Sequence, residues 1–338
     1  MPKQWTADQV LEITRGFQPA CILTAAADLD LFDALGSGRL TADQISHRLK
    51  CDKRGITVLL DALVALEVLN KRGRHYSAPA RVAAVLTRDG SDSVLAMVQH
   101  QGNCLRRWDQ LARVIKTGLP ARRVPSIRGE EGDTASFIGA MHDVSSREAP
   151  RLVRAIQPLP FKRLLDVGGG SGTWTIAFLR ANPSAKATIF DLPQVIPLAG
   201  KRLRTAGLRP RVTLVEGNFH TDQLPPGFDL AWVSAIVHQN SRQQNRELFG
   251  KVHRALDIGG RIAIRDVLME KSRTAPVSGA LFAVNMLVGT EGGGTFTFEE
   301  LRTDLMAAGF IAARVVQRDE GMNSVIMARK PRVANRSK

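Results

Sequence analysis

The stretch Leu164-Leu165-Asp166-Val167-Gly168-Gly169-Gly170-Ser171-Gly172 constrains this chain more than any other. It begins as a short apolar run, which predicts a buried strand. It then breaks into glycines ahead of Thr173-Trp174-Thr175-Ile176-Ala177-Phe178-Leu179, which predicts a helix. Strand, glycine loop and helix together bring backbone N–H groups and a helix N-terminus up to a ligand. The details select the ligand. Gly168, Gly170 and Gly172 are spaced G-x-G-x-G, not the G-x-G-x-x-G of a dinucleotide loop. Asp166 stands two residues before the first of them, where a carboxylate would repel a pyrophosphate and suits a cationic ligand carrying an amino group. A second acid, Asp191, ends the next apolar run, Ala187-Thr188-Ile189-Phe190. It follows the glycines by about 20 residues, the place from which an acid accepts both hydroxyls of a ribose.

S-adenosylmethionine meets these requirements, having a sulfonium, an α-amino group, a ribose and no phosphate. The two stretches resemble motifs I and II of the class I S-adenosylmethionine-dependent methyltransferases. The plainer alternative is a tight turn in an α/β domain that binds no cofactor.

Hydrophobic residues make up 44% and charged residues 23% of the 338 residues, the balance of an ordinary globular chain long enough for two domains. No apolar run approaches the ~20 residues of a membrane-spanning helix. Met1-Pro2-Lys3-Gln4-Trp5-Thr6 lacks the apolar core of a signal peptide. Cys21, Cys51 and Cys104 are too few and too scattered for a disulfide framework or a zinc site, so the expected location is cytoplasmic and no metal is called for. The net charge of +15 admits nucleic acid or an acidic surface as partner. The basic residues are scattered, however, as in Arg106-Arg107, Arg122-Arg123 and Lys201-Arg202, and no run interleaves them with aromatics. Composition therefore speaks against a nucleic-acid substrate, and Arg329-Lys330-Pro331-Arg332 reads as a solvated basic run leading into a tail over 331–338.

Along the chain, periodicity predicts helices over 5–15, 18–35, from Thr41 with a capping box to Gln44, and over 52–69. Asn70-Lys71-Arg72-Gly73 reads as a turn and His75-Tyr76-Ser77 as a short strand. That order resembles a winged helix, either a DNA-binding module or a dimerisation module borrowing the fold. The helix over 52–69 is basic only in its first turn, which favours dimerisation. Helices follow over 91–155, interrupted by a loop over 120–132, and Phe137 to His142 starts a helix leading toward the next domain. The prolines of Pro158-Leu159-Pro160 mark the boundary between a helical domain over 1–157 and a second domain over 158–330. Beyond it strands are predicted near 163–167, 186–190, 211–216, 228–233 and 260–266. Helices alternate with them near 172–181, 194–206 and 242–256, the pattern of a doubly wound, Rossmann-like parallel sheet. Two more helices (278–289 and 298–308) and two final strands (311–318 and 323–329) complete the α/β fold class. Ligands bind such sheets at the carboxyl ends of the strands, and Asp166, Asp191, Asn218 and His238 all fall there.

The whole chain resembles the two-domain small-molecule O-methyltransferases of the caffeate, acetylserotonin and bacterial natural-product types. Leu165–Gly172, Phe190-Asp191-Leu192-Pro193, Val215-Glu216-Gly217-Asn218-Phe219 and Ser234-Ala235-Ile236-Val237-His238-Gln239 carry the resemblance. So do Leu256-Asp257-Ile258-Gly259-Gly260-Arg261, Thr297-Phe298-Glu299-Glu300-Leu301 and Ala308-Gly309-Phe310. The resemblance implies a homodimer built on the N-terminal helices, each subunit using its partner's N-terminal segment to close a substrate pocket. It implies that Asp166, Gly168 and Gly170 face the methionine part of the cofactor, that Asp191 and Leu192 hold ribose and adenine, and that Asn218 and Phe219 flank the adenine. The family usually has an acid where Asn218 stands, and Ser234 lies near a lysine of the plant enzymes.

His238 matches the family's general base, since methyl transfer from a sulfonium needs alignment and removal of a proton from the acceptor. In the plant enzymes an Asp follows that His, and a Glu after a Gly-Gly pair steadies it. Here Gln239 follows, and the glycine-rich turn Glu291-Gly292-Gly293-Gly294-Thr295 has its acid before the glycines, so His238 has no assigned acidic partner. Met141, Asn285 and Met286 are candidates for the acceptor pocket. The function expected is methyl transfer to a small molecule, foremost O-methylation of an aromatic or polyketide-like hydroxyl. The alternatives are C- or N-methylation on the same scaffold, a cofactor-bound protein that does not methylate, and a winged-helix regulator sensing the cofactor.

Overall fold

The computed structural model describes residues 4–332. The chain forms two compact units, one comprising residues up to Asp109 with Arg123–Val144, the other Gln110–Arg122 with Ser145 onward. Among the described residues no helix is long and apolar enough to cross a membrane.

The first unit opens with α1 (Ala7–Arg15), α2 (Phe17–Asp28) and α3 (Leu31–Leu35). The single helix expected over 18–35 is thus two. Asp30 takes a left-handed conformation at φ 54°, which Asp tolerates better than most residues, and its carboxylate is held by Arg128 Nη1 at 2.9 Å. Next come β1 (Leu40–Thr41) and α4 (Ala42–Leu49), which starts with the expected Thr41/Gln44 capping box. In α5 (Lys53–Ala65) the helix stops short of the predicted Leu69, because Val68 and Leu69 fold back to donate to the Leu63 carbonyl. β2 (Asn70–Arg72) and β3 (His75–Ser77) form a hairpin, so Asn70–Arg72 is a strand where a turn was expected, and the turn itself is Gly73-Arg74. With β1 they form a sheet of order β1-β3-β2. The unit continues through α6 (Ala80–Leu86) and α7 (Leu95–Trp108). Phe32, Ile45, Ile56, Leu60, Leu63 and Tyr76 fill its core.

α8 (Leu111–Thr117) belongs to the second unit, and α9 (Gly129–Ala155) runs from the first into the second. Then β4 (Arg163–Val167), α10 (Thr173–Ala181), β5 (Lys186–Asp191), α11 (Ile196–Thr205), β6 (Val212–Glu216), β7 (Phe228–Ser234), α12 (Arg242–Ala255) and β8 (Leu256–Asp266) alternate as expected. After them come β9 (Leu268–Met269), α13 (Val277–Gly289), β10 (Phe296–Thr297), α14 (Phe298–Ala307), β11 (Ile311–Gln317) and β12 (Ser324–Arg329). The main sheet has seven strands in the order β11-β12-β8-β7-β4-β5-β6. β8, β7, β4, β5 and β6 are parallel, whereas β12 runs antiparallel to both β8 and β11. The sheet is therefore mixed rather than wholly parallel: a short connection between β11 and β12 allows only a hairpin, since a parallel pair needs a long crossover.

Alternation along β4 and β7 divides the core. Leu164, Leu230 and Trp232 pack with Phe178 of α10 and Leu203 of α11. Leu165, Val167 and Val233 pack with Phe249 of α12 and Leu305 of α14. Burial on both faces explains why these strands read as continuous apolar runs. In the basic run Arg329–Arg332 all residues but half-buried Lys330 are exposed, as expected. Arg329 is the last rung of β12, and Lys330 Nζ donates to the His253 and Leu256 carbonyls at 2.7 Å each. The tail from 333 on lies outside the described residues.

Candidate active site

Parallel β4, β5, β6, β7 and β8 all end on one edge of the sheet, and Asp166, Asp191, Asn218 and His238 lie along it. Gly168 is left-handed at φ 64°, and a Cβ on it would stand 2.6 Å from Ile236 Cδ1, so the loop can pass here only without a side chain. Gly170, also left-handed, has no atom within 4 Å of where its Cβ would stand, which leaves open space for a ligand against the backbone.

Asp166 lies beneath this loop. It is almost fully buried, and Oδ2 accepts from Thr175 Oγ1 of α10 at 2.6 Å. Burial pushes its carboxyl up to about 7; the Thr175 hydrogen bond opposes the rise and the nearby Asp191 charge adds to it. Asp191 ends β5. Its Oδ2 accepts from Gly170 N–H and its Oδ1 from Leu192 N–H, both at 2.7 Å, tying the glycine loop to the neighbouring strand. Burial raises its pKa as well, against these two hydrogen bonds. Each carboxylate oxygen keeps a further lone pair that ribose hydroxyls could use.

Asn218 follows β6. Its N–H donates to Asp222 Oδ2 at 2.8 Å, and its Oδ1 accepts from His220 N–H at 2.9 Å, so the amide first holds its own loop. Phe219 Cε1 lies 3.7 Å from the Cβ position of Gly168, which brings this loop over the glycines. Lys251 of α12 fixes it there, Nζ donating to the Phe219 carbonyl at 2.9 Å and the His220 carbonyl at 2.7 Å. Ser234, the last residue of β7, accepts at Oγ from Arg265 Nη1 at 3.1 Å. Together these residues fit an adenosyl amino acid: an open backbone cradle, an acid for a ribose, a second acid for an ammonium and an aromatic ring for a base.

His238 sits on a short 3-10 turn, Val237–Gln239, beyond β7. It is buried, and its Nδ1 lies 2.8 and 2.9 Å from the two oxygens of Asp266, the last residue of β8. Asp266 Oδ1 also accepts from Val267 N–H at 2.8 Å. A carboxylate at Nδ1 keeps the proton on that nitrogen and leaves Nε2 as the acceptor. The backbone around the histidine is fixed on two sides. Asn245 Nδ2 donates to the Val237 carbonyl at 3.0 Å, and Gly294 N–H to the His238 carbonyl at 2.9 Å. A Cβ on Gly293 would stand 2.5 Å from that same carbonyl oxygen, so the glycine-rich turn serves close approach to His238. Its acid, Glu291, is exposed.

Asp266 is the acidic partner that sequence reasoning did not assign. It stands at the far end of β8, well away in sequence from the glycine-rich turn at Glu291–Thr295. An aspartate interrupting the apolar run Ile262-Ala263-Ile264-Arg265-Asp266-Val267-Leu268 was the available signal. Phe282 of α13 was also missed; its ring meets the imidazole edge-on with centroids 4.8 Å apart. Helical spacing puts Asn285 and buried Met286 on the Phe282 side of α13. Met141 lies on the part of α9 that belongs to the first unit.

Residues 118–311 match the O-methyltransferase domain family, and residues 11–89 match the O-methyltransferase dimerisation domain. The chain is 32% identical over 321 residues to the 3-hydroxy-5-methyl-1-naphthoate 3-O-methyltransferase of Streptomyces sahachiroi, covering 93% of both. It is 30% identical to the N,N-dimethyltransferase OxyT of Streptomyces rimosus over 96% of both chains. Among solved structures, human N-acetylserotonin methyltransferase in complex with S-adenosylmethionine superposes with a TM-score of 0.82 at 26% identity, covering 98% of this chain and 99% of that one. With a glycine cradle, paired acids and a buried His–Asp couple on one sheet edge, the chain belongs to the S-adenosylmethionine-dependent O-methyltransferase family and carries that family's dimerisation domain.

Proposed function

We propose that this enzyme methylates a hydroxyl of a small aromatic or polyketide-like molecule, with His238 as general base. The observation that carries the reading is the buried His238–Asp266 pair, with both carboxylate oxygens within 2.9 Å of Nδ1. Asp266 orients the imidazole and stabilises the imidazolium formed when Nε2 takes the acceptor proton. Phe282 supplies an aromatic wall against the imidazole, with Asn285 and Met286 of α13 as further pocket residues. The relative acting on a naphthoate hydroxyl supports the acceptor class. S-adenosylmethionine supplies the electrophilic methyl when bound. Asp191 and Leu192 hold the ribose and adenine, Asn218 and Phe219 flank the base, and Asp166, Gly168, Gly170 and Ser234 face the amino-acid end.

The N,N-dimethyltransferase relative keeps N-methylation as a second reading. A panel of hydroxynaphthoates and phenols, set against aryl amines and O-blocked controls, decides between them by S-adenosylhomocysteine release. Turnover on free hydroxyls alone supports O-methylation; turnover on amines and not on hydroxyls overturns it. We further propose that the enzyme is a cytoplasmic homodimer whose interface comprises residues 5–35 and part of 91–115, which would cover Ile13 and Phe17, 63% and 56% exposed in the single chain.

A further inference from the structure

Arg265 is the penultimate residue of β8, and its guanidinium is almost wholly buried although it forms no ion pair among the described residues. Nε donates to Asn323 Oδ1 at 2.9 Å and Nη1 to Ser234 Oγ at 3.1 Å, while the guanidinium carbon lies 4.6 Å from the centre of the Trp174 ring. Its direct contacts are thus neutral: an amide, a hydroxyl and an indole. A buried cation with no carboxylate in direct contact is costly unless an anion completes its shell. Burial pulls its pKa down to about 10, with Asp266, Asp319 and Glu148 opposing from a distance.

The order of the strands says which anion. From β6 the edge runs through β5, β4, β7 and β8. An adenosyl amino acid laid along it puts adenine at Asn218 and Phe219, ribose at Asp191 and the sulfur above the glycine loop. The amino-acid end then points toward β7 and β8. Arg265 is the cross-strand partner of Ser234, and Ser234 and Trp232 share the face of β7 on which Asp166 lies opposite Trp232. β8 is two strand spacings, roughly 10 Å, from β4. The guanidinium bridges part of that gap by lying against Trp174, the second residue of the helix that follows the glycine loop.

We propose that Arg265, relayed by Ser234, binds the α-carboxylate of the cofactor, while Asp166 answers its α-ammonium. The enzyme then reads the amino-acid end as a zwitterion. This rests on the adenosyl placement proposed above. Ser234 gains a purpose: its hydroxyl accepts from Arg265 and can donate onward to the same carboxylate.

Calorimetry with S-adenosylhomocysteine and with its descarboxy analogue, the aminopropyl thioether of adenosine, tests this on the unmodified enzyme first. The native protein should prefer the carboxylated ligand by about 10–100-fold, the range for hydrogen bonds to a charged group. Arg265→Met, which keeps a stem to pack on Trp174, should abolish that ratio by weakening S-adenosylhomocysteine alone, and Arg265→Lys should restore part of it. A native ratio near one, or an Arg265→Met variant that weakens both ligands equally, would overturn the proposal. Asp191→Asn isolates the placement: it should weaken both ligands alike, and a variant with unchanged affinity would remove the adenosyl frame itself.

Discussion

At the scale of single residues, the site places two ionisable groups in opposite circumstances. His238 has a carboxylate at 2.8 Å, whereas Asp166 has a hydroxyl at 2.6 Å and no cation paired with it among the described residues. With burial raising its pKa to about 7, Asp166 is half protonated near neutrality in the ligand-free protein. An ammonium beside it favours the carboxylate, so cofactor binding should release a proton. We expect S-adenosylhomocysteine affinity to rise between about pH 6 and 8. Titrations in buffers of different ionisation enthalpy should report the released proton, and Asp166→Asn should flatten both effects. Stability carries the opposite sign. Between roughly pH 4 and 7 the folded ligand-free protein holds a proton that the unfolded chain has lost, so the Asp166 contribution falls across that window and levels off above it. The residues at strand ends were legible in sequence because apolar runs stop at them, as at Asp166, Asp191 and His238. Asp266 was not, since it meets His238 across 28 positions of chain, and only the parallel register of Ser234 with Arg265 brings the two strand ends together.

At the scale of elements, two loops flank the proposed site, and each is held by a contact that sequence does not announce. Lys251 ties the loop after β6 through two carbonyls. Its replacement by Met should weaken S-adenosylhomocysteine binding by about 5–20-fold, in line with losing hydrogen bonds to a charged group. The single-turnover rate at saturating cofactor should be little changed, and a fall in that rate without loss of affinity would contradict the positioning role. The glycine-rich turn after α13 supports His238 from the other side. Gly293→Ala would drive a methyl to within 2.5 Å of the His238 carbonyl. Displacing a base by even part of an ångström is costly, so turnover should fall by about 10-fold or more while cofactor affinity holds. The helices and parallel strands were readable from apolar periodicity. The break at Asp30 and the hairpin at Asn70–Arg72 were not, because a left-handed residue held by Arg128 and a two-residue turn leave the periodicity on either side intact.

At the scale of the whole molecule, the net charge of +15 contributes little to the fold, and several arginines act as internal braces, as where Arg242 and Arg246 both meet buried Asp304. The apolar surface of α1 and α2 bears more directly on assembly. Val10, Leu11, Ile13 and Phe17 are all exposed in one chain, and a stripe of that size in a dimerisation domain calls for a second copy. Sedimentation at micromolar concentration should give twice the chain mass, and Ile13→Asp with Phe17→Asp should shift it toward one. If the scaffold binds the cofactor with one set of residues and removes the acceptor proton with another, two variants separate the two roles. In single-turnover methyl transfer to a hydroxyl acceptor, His238→Gln and Asp266→Asn should each lower the rate by about 10²–10⁴-fold, while the dissociation constant for S-adenosylhomocysteine stays within about twofold of native. A near-native rate in His238→Gln, or a loss of cofactor binding that accounts for the whole fall, would contradict it.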